Sequence, residues 1–135
     1  MAQHYVLDTN IVTGILKKDA RIVSRLRQVL AANAMITLSP VVFYEVKRGL
    51  LKKDARKQMG FFEKLANTFQ WDDLQRPDWD SAAQIWAAAT RVGHSPSSDA
   101  DLLIATHARR LNAVVVTDNE RHFARLGIQI ENWLT

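Results

Sequence analysis

Four acidic residues, Asp8, Glu45, Asp101 and Asp118, stand in unusually apolar surroundings. Carboxylates so placed cap a helix, pair with a buried base or hold a cation. Asp8 closes the run Tyr5-Val6-Leu7, and Asp118 follows the run from Val114 to Thr117. Either could also serve as the N-cap of a following helix. On a helix, Glu45 shares a face with Val41, Val42 and Gly49, and Gly49 would leave open space beside it. Its other reading is a residue at the edge of the apolar stripe, or a partner for a buried arginine. Asp101 precedes Leu102-Leu103-Ile104-Ala105 and lies in line with Ala105, and of Ser98 and Asp99 the second is the better placed to cap that helix. Gathered together, these carboxylates would repel one another without a cation. Oxygen-only ligands in a chain with no cysteine point to Mg²⁺ or Mn²⁺ rather than zinc. Such ions polarise phosphoryl oxygen and activate water, chemistry that suits phosphodiester hydrolysis without a covalent intermediate.

Other chemistries find less support. The chain has no Gly-rich phosphate loop and no Gly-x-Ser-x-Gly turn. His4, His94, His107 and His122 show no metal-ligand spacing and read as surface or loop residues. The tryptophans at 71, 79, 86 and 133 read as packing anchors. Basic residues cluster at Lys47, Arg48, Lys52, Lys53, Arg56 and Lys57, either as a solvated face or as a track for RNA phosphates near Glu45.

The elements that must position these residues alternate between strand and helix. Strands are expected at residues 5–7, 35–38, 114–116 and 128–130, with a weaker one near 69–71. Helical spacing covers residues 11–16 and 22–30, then 41–51 behind Pro40, 54–66, 79–92 and 102–111, with a short helix over 119–126. Residues 93–98 form the clearest loop. The segment Gly14-Ile15-Leu16-Lys17-Lys18-Asp19-Ala20-Arg21 is nearly repeated as Gly49-Leu50-Leu51-Lys52-Lys53-Asp54-Ala55-Arg56. No third copy follows, so a solenoid is not indicated. Each copy reads as a helix end with lysines near the carboxyl dipole and Asp as the next N-cap. Continuous apolar strands alternating with helices imply an α/β fold, a mostly parallel sheet covered on both faces. Ligands of such sheets sit at the strands' carboxyl ends, where Asp8, Ser39 and Asp118 fall.

At 135 residues, with 47% hydrophobic and 24% charged, the chain is expected to form one domain over 1–135. A net charge of +4 favours polyanionic partners without deciding among them. Residues 1–8 lack the basic and apolar regions of a secretory signal, and no apolar run approaches the ~20 residues of a membrane span. A soluble cytoplasmic protein is the expectation.

With these residues in view, the sequence resembles the PIN-domain nucleases, in particular the VapC-type toxins, nearly end to end. Val6-Leu7-Asp8-Thr9-Asn10 resembles the opening motif, and Ser39-Pro40-Val41-Val42-Phe43-Tyr44-Glu45-Val46, followed by Gly49, the second. Asp101-Leu102-Leu103-Ile104-Ala105-Thr106-His107-Ala108 resembles the third, and Val116-Thr117-Asp118-Asn119, with Phe123, Asn132 and Trp133, the close. The resemblance implies a three-layer α/β/α fold and an acidic pocket for Mg²⁺ or Mn²⁺, held by Asp8, Glu45 and Asp101. Asp118, next to Asn119, would complete the site, and Thr9 and Asn10 would support it. It further implies cleavage of RNA and inhibition by a cognate VapB-like antitoxin. Alternatives are a PIN nuclease that processes RNA without an antitoxin, and a silent module binding RNA or protein. The apolar helices over residues 11–30 are expected to dock the antitoxin and to form a homodimer face.

Overall fold

The structure, a computed structural model, describes residues 3–135. Five strands, β1 (His4–Leu7), β2 (Met35–Leu38), β3 (Gln70–Trp71), β4 (Val114–Val116) and β5 (Ile130–Glu131), form one sheet in the order β3-β2-β1-β4-β5. Every neighbouring pair is parallel, with Tyr5 opposite both Ile36 and Val114. Between them run α1 (Thr9–Leu16), α2 (Ala20–Ala31), α3 (Pro40–Lys53), α4 (Arg56–Thr68), α5 (Arg76–Arg91), α6 (Asp99–Arg110) and α7 (Glu120–Phe123). The chain steps outward from β1 to β3, then crosses back to β4. Right-handed crossovers therefore place α1 to α4 on one face and α5 to α7 on the other. The strand order reverses between β1 and β4, the point where such sheets open a crevice.

Val6, Leu7, Val115 and Val116 are buried on both faces of the sheet, which explains their unbroken apolar run. Residues 104 to 108 of α6 are buried throughout, so this helix is packed on nearly all sides. Asn33 and Asn112 take φ of 60° and 53° just past α2 and α6 and turn the chain into the next strand.

Several expectations need correction. The apolar stripe of α1 and α2 is mostly core rather than exposed surface: Ile11, Val12, Ile15, Leu16, Ile22, Leu26 and Val29 are buried, and Leu30 is the one large apolar side chain there that is exposed. The two near-repeats also fold differently. Asp19 caps α2, its Oδ1 accepting from the amides of Arg21 and Ile22. Asp54 instead ends α3 in the left-handed region, at φ 51°, and α4 starts with no side-chain cap. His107 is fully buried on the apolar face of α6, not on the surface. Trp133 is a packing anchor, edge-on to Tyr5 at 5.7 Å, whereas Trp71, Trp79 and Trp86 are about half exposed.

Candidate active site at the strand ends

Asp8 leaves β1 with extended backbone and caps α1, so its cap role and its place at the strand end coexist. Its amide donates to the Val116 carbonyl at 2.8 Å, fixing it in the crevice between β1 and β4. Its Oδ1 accepts from the Thr9 amide at 2.8 Å, and Oδ2 from the Thr117 hydroxyl at 2.8 Å. Only 5% of the residue is exposed. Burial pushes the Asp8 carboxyl up to about 6 against the opposing pull of the Thr117 and Thr9 hydrogen bonds, and the charges of Asp101 and Glu45 add to the rise.

Glu45 reaches the same crevice from the second turn of α3, a helix started by the Ser39 cap and Pro40. The Thr9 hydroxyl donates to its Oε1 at 2.6 Å, and the Arg48 guanidinium lies 3.8 Å from Oε2. A Cβ at Gly49 would meet nothing within 4 Å, so the space beside Glu45 is open, as its helical spacing suggests. Asp101 comes from the opposite layer, in the first turn of α6. Its Oδ2 accepts from the Ser97 hydroxyl at 2.9 Å and faces His122 Nδ1 at 3.1 Å. Ser98 caps this helix, accepting from the Asp101 amide at 3.1 Å, while Asp99 is exposed as the first helical residue. The cap is the Ser98 hydroxyl rather than the Asp99 expected from the sequence, because Asp99 already lies inside the helix.

Asp118 lies just past β4, exposed, its Oδ1 accepting from Asn10 Nδ2 at 3.3 Å. It caps nothing, and neither does the Asn119 side chain at the start of α7. Thr117, fully buried, links the pieces: its Oγ1 accepts from the Asn119 amide at 2.9 Å and donates to Asp8. Sequence reasoning passed over Thr117, Ser97 and His122. For Thr117 a signal existed, a hydroxyl at the end of an otherwise apolar strand.

Three elements thus bring Asp8, Glu45 and Asp101 into one electrostatic neighbourhood, with Asp118 at its rim. Among the described residues, no three His, Asp or Glu side chains are gathered tightly enough to chelate an ion by themselves. A hard ion such as Mg²⁺ keeps several waters and takes one or two carboxylates plus a substrate phosphate, so these residues could hold one only with water or substrate completing its shell. The basic residues of α3 are partly engaged: Lys47 pairs with Glu63 at 3.8 Å and lies over Phe43, and Arg48 stacks over Tyr44.

A parallel doubly wound sheet with carboxylates at its switch point defines an α/β protein whose ligand meets the strand ends. The chain belongs to the PIN-domain family, whose model matches residues 5–129, and falls among its VapC-type members. It is 31% identical to the tRNA(fMet)-specific endonuclease VapC of Shigella flexneri and 30% identical to ribonuclease VapC2 of Rickettsia felis, over 96% of this chain and 97% of each relative. The same fold occurs in the Rickettsia felis VapBC2 complex bound to a promoter DNA fragment, with a TM-score of 0.86 at 27% identity over 97% of this chain and 99% of that one. The DNA-bound VapBC of Salmonella typhimurium gives 0.83 at 30% identity over 97% and 98%.

Proposed function

We propose that this chain is a Mg²⁺- or Mn²⁺-dependent endoribonuclease acting as the toxin of a toxin–antitoxin pair. The observation that carries the reading is the convergence of Asp8, Glu45 and Asp101 from three elements on the switch-point crevice, where burial, and to a lesser degree the charges of Asp101 and Glu45, raises the Asp8 carboxyl to about 6. Similarity to VapC ribonucleases and to chains seen in VapBC complexes supports it. Asp8, Glu45 and Asp101 would surround the ion, one or two of them binding it directly and the rest through water, with Asp118 at the open side. A bound divalent ion would supply Lewis-acid polarisation of the phosphoryl oxygen and a more acidic water. The chain's own residues orient this site. Thr117 and the Thr9 amide fix both oxygens of Asp8, the Thr9 hydroxyl fixes Glu45, and Asn10 steadies Asp118. A VapB-like antitoxin is the proposed inhibitor, and a homodimer the proposed assembly. No helix among the described residues is long and apolar enough to cross a membrane.

Transfer RNA is the first substrate to try, given the relative named for tRNA(fMet). Purified protein should cut RNA with Mg²⁺ or Mn²⁺ and stop in excess chelator. Expression alone should arrest growth, and coexpression of the neighbouring antitoxin should relieve it. Undiminished cleavage in chelator overturns metal dependence, and harmless expression of intact, soluble protein favours an RNA-processing role.

A further inference from the structure

A groove of about 810 Å³ runs between the carboxyl half of α5, the 93–97 loop and α7. Its floor is apolar, formed by Ile85, Ala89 and Leu126, with Val92 left 70% exposed at its edge. Arg121 and Arg125 line the other wall, and neither makes an ion pair or hydrogen bond among the described residues. Ser97 and His122 line it too, and both contact Asp101 Oδ2. The groove therefore borders the two side chains that hold an Asp101 oxygen, one side chain away from the candidate active site.

We propose that this groove is the track for the single-stranded RNA flanking the scissile phosphate, with an unstacked base on the apolar floor and backbone phosphates on Arg121 and Arg125. The proposal rests on the nuclease reading above and deepens it. Proteins that hold single strands combine a positive groove with surfaces that cover base faces, and here both lie in one groove. A groove volume within roughly 300–1,000 Å³ suits a molecule of nucleotide size rather than an ion, and its open top suits a passing strand. Free arginines match phosphate in charge and geometry. Adjacency to Asp101 through Ser97 and His122 favours the reacting strand over a peptide, because a strand seated here lies beside the carboxylate its scissile phosphate must reach.

The test uses the full chain in chelator with a fluorescein-labelled 12-nucleotide single-stranded RNA of mixed sequence, read by anisotropy across salt. Arg121→Ala/Arg125→Ala should weaken binding roughly tenfold or more and lower the log–log salt slope by up to about 1.4, two phosphate contacts' worth. Ala89→Trp, which fills the floor, should weaken binding with the slope unchanged. Lys17→Ala/Lys18→Ala, at the far end of α1, should bind as wild type with at most a small slope change. With Mg²⁺ or Mn²⁺, the double arginine variant should raise KM more than it lowers kcat. Unchanged affinity and slope in that variant, or no binding by wild type, overturns the proposal. Wild type that binds RNA through Arg121 and Arg125 yet cuts nothing with either metal sinks the nuclease reading alone.

Discussion

Asp8 does two things with one carboxylate: it satisfies the first amide of α1, and it presents a charge to a crevice already facing Asp101 and Glu45. The folded chain holds its proton up to about 6 against the ordinary 3.8, so the folded state binds more protons between those values. Stability contributed through Asp8 is therefore full at low pH and is lost as pH rises from about 4 through about 6. The difference amounts to about 3 kcal/mol at neutral pH in the absence of a cation. Asp8→Asn can still accept from the Thr9 amide but carries no charge. In chelator at pH 7.5 it should melt about 5 °C or more above wild type, with the two converging toward pH 4, while its RNA cleavage is lost. Parallel melting curves over pH 4–7 would refute this account of Asp8. At the third motif, Ser98→Ala should cost about 1 kcal/mol because it removes the Asp101 amide's acceptor. Asp99→Ala should cost less, and Asp101→Asn should abolish cleavage with little change in thermal unfolding. Greater destabilisation by Asp99→Ala than by Ser98→Ala would return the cap to Asp99.

The two near-repeats show how packing overrides local sequence at the scale of the element. Gly14 lies against the tip of Ile22, where α2 folds back on α1, while Gly49 faces open space on α3. Gly14→Ala gains helix propensity but forces a buried side chain to move, for a net loss of about 1 kcal/mol. Gly49→Ala has only the propensity gain and should stabilise by up to about 1 kcal/mol. Denaturant midpoints for both variants check the pair, and shifts of the same sign would contradict it. Near-identical octapeptides thus have opposite surroundings, which no window of sequence reveals. What was legible is whatever depends on periodicity: β1, β2, β4, the middle of each long helix and the parallel sheet follow from apolar runs alternating with helical stripes. Asp8, Glu45 and Asp101 were legible for the same reason, as charges interrupting apolar stripes. His122 was not, and Thr117 showed only as a hydroxyl ending an apolar strand, since their contacts span 21 and 109 residues and arise only when α7 and β4 close on the site. The burial of the stripe over α1 and α2 was not legible, because an apolar stripe looks the same whether it packs on the sheet or on another chain.

Across the whole molecule, the site depends on α6 holding its place, since this helix brings Asp101 from the layer opposite Glu45. The far end of α6, about 14 Å away along its axis, is tied down by charge. Arg110 donates through Nε to both oxygens of Asp78, whose side chain is 1% exposed, and through Nη2 to Asp72 and the Asp73 carbonyl. Asp78 also accepts from the Gln75 amide at 2.9 Å, and buried His107 places Nε2 3.0 Å from Asp72. The cluster thereby joins the end of β3 and the start of α5 to α6. Arg110→Met keeps much of the apolar stem but leaves the Asp78 carboxylate buried without its base, which should cost about 3 kcal/mol. The denaturation midpoint should fall with its slope unchanged, while kcat/KM of the folded protein stays near wild type, because Asp101 keeps its own contacts to Ser97 and Ser98. Asp78→Asn in the Arg110→Met background removes the stranded charge and should recover part of the loss. If the double variant is as unstable as the sum of the two single ones, the pair is uncoupled, and the Arg110–Asp78 contact does not help to hold α6.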